Sequence, residues 1–243
     1  MNKLKKLILR IFRSKKLGFN FRGISSFKIP KSLSLNGKEI KLSFPDEKGV
    51  FIDFVSIFLD DDYNLSRIKT KKISTIVDIG ANVGFFSIAA RLAFPNAKIF
   101  SYEPNNQLKR YLHDNFRELN IELQMNAVSK NAGRIELENC GDSNQSRVVI
   151  NNEGSVEMCS LETVIEKVGG QIDLLKMDCE GSEWSILEDS KLLEKINNIT
   201  FEYHLWANGE SHSYPLYLLR KSGFTIIDSQ PSTDFGIITA TRC

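Results

Sequence analysis

From Ile73 onward, short apolar runs alternate with stretches of helical spacing. The runs fall near 74–78, 98–102, 121–127, 172–177 and 198–203. That alternation predicts an α/β fold, a mostly parallel sheet with helices on both faces. A sixth strand is expected near 224–229, after a helix containing Leu216, Leu219 and Arg220. The last run, FGIITATR (235–242), should return antiparallel after a turn at Pro231 to Asp234. Upstream, SLSLNGKEIKLSF (32–44) alternates around Asn36-Gly37, a hairpin signal. VFIDFVSIFLDDDYNLSRI (50–68) reads as a helix with an acidic end, and the polar stretch 139–155 as a loop over the site or a weak hairpin. The chain thus divides into an N-terminal extension (1–70) of helix, hairpin and helix, and a larger unit (71–243).

The first strand of that unit carries the most informative chemistry. VDIGANVG (77–84) places Asp78 at the strand end, then Gly80, Asn82 and Gly84 in the turn before a helix. Glu103 ends the next strand, nineteen residues beyond Gly84. A glycine-rich turn between strand and helix, with an acid about twenty residues on, suits an adenosine-bearing cofactor whose ribose hydroxyls the acid accepts. A dinucleotide needs G-x-G-x-x-G, so that a helix N-terminus meets the pyrophosphate. Here the spacing is D-x-G-x-N-x-G, and an acid precedes the turn. Asp78 repels a pyrophosphate and suits an ammonium, so S-adenosylmethionine fits better than NAD. Asn126, after the third strand, is placed to accept a hydrogen bond from the adenine amino group, with Ala127 leaving space for the ring.

Downstream, IDLLKMDCEGSEWSIL (172–187) ends its apolar run in Lys176, Asp178, Glu180 and Glu183, and ITFEYH (199–204) ends in Glu202 and His204. Together DIGANVGFFS, YEPN, NAVSKNAG, LLKMDCEGSE and EYH resemble the FkbM family of S-adenosylmethionine-dependent methyltransferases, over about residues 50 to 230. The resemblance implies the class I methyltransferase (Rossmann-like) fold with a seven-stranded sheet. It also implies O-methylation of a hydroxyl on a glycan, sugar or secondary metabolite, and Tyr63 matches a tyrosine common at this point in the family.

In that frame His204, at the end of the fifth strand, is the candidate general base: imidazole takes a proton near neutral pH without being locked in its charged form. Asp178, ending the fourth strand, contacts the cofactor ammonium, positions the hydroxyl or shares the base role. Lys176, two residues earlier on the same strand face, holds that carboxylate or sits near an acceptor oxygen. Glu180 and Glu183 suit a helix start equally well. No HxH or HxxxH spacing appears, so no metal site is expected. An amine acceptor, an NAD-linked oxidoreductase and a non-catalytic cofactor-binding partner remain as alternatives. Trp184, Trp206 and Tyr214 are either sugar-stacking or core aromatics.

Charge refines this picture. Of 243 residues the net is only +2, yet residues 1–38 hold eleven Lys/Arg and no acid, leaving −9 for the remainder. Leu4, Leu7, Ile8, Ile11 and Phe12 recur at helical spacing, with Lys3, Lys6, Arg10 and Arg13 on the opposite side, and Gly18 beyond the end. The leading expectation is that the apolar stripe packs on the domain or on a second copy as a homodimer contact, lysines facing water. Peripheral contact of residues 3–16 with an anionic membrane surface is the other. Interleaved aromatics for base stacking are lacking, so no nucleic-acid partner is expected. Cys140, Cys159, Cys179 and Cys243 form no CxxC pair, which fits a reducing, cytoplasmic compartment. Cys179 reads as a small strand residue rather than a nucleophile.

Overall fold

The computed structural model describes residues 3–35, 37–68, 72–138, 147–150, 154–179 and 181–242. Asn36, Glu180, Cys140, Cys243 and most of the 139–155 stretch lie outside the described residues. The chain opens with α1 (Lys3–Lys16), followed by the hairpin β1 (Ser32–Leu35) and β2 (Lys38–Lys41), which pairs Leu33 with Ile40. Helix α2 (Lys48–Phe54) widens into a π-type segment, Val55–Asp60. The helix expected over 50–68 stops there. Asp61 takes a left-handed conformation (φ 58°), and its carboxylate accepts from the N–H groups of Leu65 and Ser66. An acid in that conformation forms a local turn and ends a helix.

Strands and helices then alternate: β3 (Thr75–Ile79), α3 (Phe85–Ala93), β4 (Lys98–Tyr102), α4 (Lys109–Phe116), β5 (Ile121–Gln124). Four short strands follow, β6 (Ala127–Ser129), β7 (Gly133–Glu138), β8 (Arg147–Ile150) and β9 (Val156–Ser160), then α5 (Leu161–Lys167) and β10 (Ile172–Met177). The chain closes with α6 (Glu183–Leu187), α7 (Ser190–Leu193), β11 (Ile196–His204), α8 (Ser213–Lys221), β12 (Phe224–Pro231) and β13 (Phe235–Arg242). The main sheet has the order β12-β13-β11-β10-β3-β4-β5, with β13 antiparallel to both neighbours, as expected. It is the class I methyltransferase sheet.

Successive residues of a strand face opposite sides, and the core follows that rule. Ile76, Ile99 and Leu174 pack with Phe54, Phe58, Phe85 and Leu112 on one face. Val77, Phe100, Leu175 and Phe201 pack with Leu161, Trp184, Ile186 and Leu219 on the other. Leu17, Leu33 and Ile40 belong to the first cluster, so the N-terminal extension shares its core with the sheet. Strand order reverses between β3 and β10, the switch point where open α/β sheets bind ligands.

Two sequence expectations need correction. The run 121–127 is two strands: β5 ends at Gln124, and β6 begins a second sheet of order β6-β9-β7-β8. Among the described side chains its small core is Ala127, Ile135, Val156 and Met158. Helix α1 is also turned the other way round. Arg10 holds Asp60 through two bonds of 2.6 Å, Lys6 pairs with Asp60 at 3.0 Å, and Arg13 reaches the Leu59 carbonyl (2.8 Å) and Asp61 (3.3 Å). The acidic end of the α2 segment draws the basic face inward. Ile11 and Ser14 seat the helix beside Phe21, Val55 and Leu59. No helix among the described residues is long and apolar enough to cross a membrane.

Candidate active site

The βα turn after β3 is stacked directly on the exit of β10. A Cβ on Gly80 would lie 1.7 Å from the Asp178 carbonyl oxygen, and its φ is +74°. Only glycine fits. Gly84 likewise combines a positive φ, +86°, with close packing: a Cβ there would stand 2.4 Å from the Phe116 ring. Between them, Asn82 adopts φ 50° and joins two acids. Its N–H donates to Glu103 Oε2 at 2.8 Å, and its Nδ2 donates to Asp53 Oδ2 at 2.8 Å. Glu103 Oε1 accepts from the N–H of Asn105, 2.8 Å away. Burial nonetheless pushes the Glu103 carboxyl up to about 7.

Under the turn lies Lys176, only 3% exposed. Its ammonium donates to the carbonyls of Ile79 (3.3 Å) and Gly80 (2.5 Å), and faces Asp78 Oδ1 at 3.3 Å and Asp178 Oδ2 at 3.9 Å. These anions raise its pKa over the opposing effect of burial. Asp78 is wholly buried and accepts from the Ser87 hydroxyl at 2.7 Å.

Above the turn a cavity of about 590 Å³ opens, within the usual range for small-molecule sites. Asp53, Tyr63, Gly80, Asn82, Lys176, Asp178, Glu202 and His204 line it, with Ile52, Trp206 and Phe235 among its apolar walls. The Tyr63 hydroxyl donates to Asp178 Oδ2 at 3.0 Å. Asp53 is half-buried, its open edge toward the cavity; burial, then Asp178, pushes its carboxyl up to about 7. Glu202 is raised by burial and by the same neighbour.

His204 has the most constrained geometry. Its Nδ1 lies 3.2 Å from Glu183 Oε1, which also accepts from the His204 N–H at 3.1 Å. Glu183 Oε2 accepts from the Gly181 N–H at 2.8 Å and faces the Cys179 thiol at 3.6 Å. A carboxylate surrounded by donors fixes the proton on Nδ1 and turns Nε2 toward Glu202 Oε1, 3.2 Å away. Trp206 and Phe235 flank the imidazole at centroid distances of 5.8 and 6.4 Å. Asp178, Glu202 and His204 each offer a donor atom, all within 4.8 Å of one another, a set able to hold a divalent cation.

The fold therefore gathers Gly80, Asn82, Lys176, Asp178 and His204 around one cavity. Glu103 joins through Asn82, and Asp78 through Lys176 from below. Asn126 and Ala127 do not line it: Asn126 donates to Glu157 at 3.2 Å, and Ala127 sits in the core of the second sheet. Asp53 went unnoticed in the sequence, although a lone acid within GVFIDFVSIFL was a readable signal. Glu183, read as a helix-start residue, anchors the imidazole. Trp184 is core, donating its indole N–H to the His204 carbonyl at 2.9 Å and stacking on Tyr214, whereas Trp206 is 48% exposed.

Residues 78–226 match the Methyltransferase FkbM domain. The chain belongs to the FkbM methyltransferase family. It is 25% identical over 233 residues to methyltransferase sdnD of Sordaria araneosa, spanning 78% of this chain and 88% of that protein. It is 22% identical to the AMB antimetabolite synthetase AmbE of Pseudomonas aeruginosa, over 71% of this chain but 10% of that much longer protein. A solved methyltransferase FkbM from Methylobacillus flagellatus KT is 16% identical, with a TM-score of 0.45, over 72% of this chain and 45% of that one.

The chain is thus a methyltransferase, and its cofactor is S-adenosylmethionine. The donor set fits that cofactor. Asp53, Asp178 and Glu202 surround the cavity with Lys176 as the only lysine or arginine among its lining residues, a surplus of negative charge suited to a ligand with an ammonium and a sulfonium. Glu103 stands beside the glycine turn, accepting from the N–H groups of Asn82 and Asn105.

Proposed function

We propose that this FkbM methyltransferase is a cytoplasmic O-methyltransferase acting on a hydroxyl of a sugar, glycan or secondary metabolite, with His204 as general base. The observation that carries this reading is the Glu183–His204–Glu202 relay. Glu183 fixes the imidazole tautomer, so Nε2 carries the basic lone pair at the cavity wall. Nε2 and Glu202 Oε1 are both acceptors in their deprotonated forms. The pair therefore shares one proton when occupied and, once vacant, takes the proton of the attacking hydroxyl. Asp178, held by Tyr63 and Lys176, orients that hydroxyl. Bound S-adenosylmethionine supplies a methyl group on a positively charged sulfur and leaves as a neutral thioether. Glu103 and Asn82 would hold its nucleoside end, and Asp53 and Asp178 would attract its cationic end. The apolar walls of Ile52, Trp206 and Phe235 suit the carbon face of a sugar ring.

The test is methyl transfer from labelled cofactor to a panel of glycans and hydroxylated metabolites. His204→Gln should lower turnover by about 10²–10⁴-fold, the usual worth of a positioned base, with cofactor affinity within about threefold. Turnover within a few-fold of wild type removes the base assignment. Transfer to amines alone replaces oxygen with nitrogen as the acceptor.

A second reading rests on the Asp178, Glu202 and His204 donor set: a divalent cation there would acidify the hydroxyl in place of a base. Chelator treatment separates the two. Activity that survives it favours the base, and activity lost then restored by magnesium or manganese favours the cation.

A further inference from the structure

Helix α1 spends its arginines on the protein and turns its apolar stripe outward. Leu4, Ile8 and Phe12, four residues apart and so on one stripe, are 62, 56 and 55% exposed. Lys5, Lys15 and Lys16 are exposed on the same side, and Lys16 lies 4.5 Å from the Phe12 ring. Inward, Asp60 and Asp61 engage Lys6, Arg10 and Arg13. The helix carries seven basic residues and no acid, and residues 1–38 contain no acid at all. An exposed apolar stripe bordered by uncompensated lysines has the arrangement of a helix lying in a lipid interface.

We propose that α1 seats this protein on an anionic membrane surface, with Leu4, Ile8 and Phe12 entering the headgroup boundary and Lys5, Lys15 and Lys16 on acidic headgroups. Charge decides between occupants. A second copy would bring an equally basic stripe against this one, and like charges at close range oppose that pairing. An anionic bilayer satisfies both the apolar and the basic parts. Because α1 packs on the Val55–Asp60 segment, whose Ser56 and Ile57 line the cavity, the active site then sits one helix layer from the lipid.

The experiment is co-sedimentation of the full chain with phosphatidylcholine vesicles and with vesicles containing one-third phosphatidylglycerol. Partitioning should appear on the anionic vesicles and fall with added salt. Each exposed lysine is worth about fivefold near such a surface. Lys5→Glu/Lys15→Glu/Lys16→Glu should therefore abolish binding, and Ile8→Ser/Phe12→Ser should weaken it by at least about tenfold. Both variants alter exposed side chains, so cofactor affinity and thermal midpoint should match wild type and confirm folding. Absence of binding to anionic vesicles at low salt overturns the proposal, as does binding unchanged in Ile8→Ser/Phe12→Ser. Sedimentation showing a dimer that Phe12→Ser dissociates assigns the face to a second copy and overturns it equally.

Discussion

Replacing Lys176 by Met tests whether one buried ammonium holds the site together. The substitution keeps most of the volume and removes the charge. Asp78, wholly buried, loses the cation 3.3 Å from Oδ1, Asp178 loses its partner at 3.9 Å, and the Gly80 carbonyl loses its 2.5 Å donor. Breaking a buried ion pair by removing one partner costs about 3–5 kcal/mol, because the remaining charge stays desolvated. For a chain of this length that is a fall in Tm of about 6–20 °C. Thermal melts of both proteins at pH 8 should show that gap. Calorimetric titration with S-adenosylmethionine should show weakened binding, since the glycine turn loses its anchor. A midpoint within about 2 °C of wild type at pH 8 refutes the reasoning.

Three further outcomes follow from the same geometry. Glu103→Gln should weaken S-adenosylmethionine binding about 30-fold, roughly the loss of one charge-assisted hydrogen bond; unchanged affinity in titration calorimetry removes the ribose assignment. Because the Glu103 carboxyl stands at about 7, wild-type cofactor affinity should decline as pH falls from 8 to 6, and the Gln variant should lose part of that slope. Asp53 is likewise raised to about 7, so it destabilises the cofactor-free protein increasingly as pH rises from about 4 through 7; Asp53→Asn should raise stability at pH 8 by about 1–3 kcal/mol, reduced by cavity water, while weakening cofactor binding, and equal melts at pH 8 count against it.

The main sheet was legible because its four central strands are apolar runs ending in chemistry: VDIG, FSYE, LLKMD and FEYH all give both a strand and its functional end. The second sheet was not, because β6 to β9 are only three to six residues long, too short for an alternation to stand out. Orientation was the other loss. The spacing of Leu4, Ile8 and Phe12 announces an amphipathic helix, but only the acids at 60 and 61, far along the chain, decide which face turns inward. Glycine spacing was informative for a related reason of limited reach. It located the turn, yet Gly80 answers to the Asp178 carbonyl and Gly84 to Phe116, partners that no local pattern reveals.

The acids of the cavity show why the site exceeds any single motif. Asp53 comes from α2, Glu103 and Asp178 from just past the ends of β4 and β10, and Glu202 from β11, four separate segments of the chain. Burial raises the carboxyls of Asp53, Glu103 and Glu202 above their usual range, and the charge of Asp178 adds to it at Asp53 and Glu202. A protein gains no stability from that arrangement; it gains an attraction for a cation that arrives with the cofactor. Binding should therefore draw protons out of the cluster, most of all near pH 7, where two of the groups are half-ionised. Titrations with S-adenosylmethionine in buffers of different ionisation enthalpy measure that release directly, and Asp53→Asn should reduce it. A proton count indistinguishable from zero at pH 7 would mean that the cofactor's positive charge does not face these carboxylates.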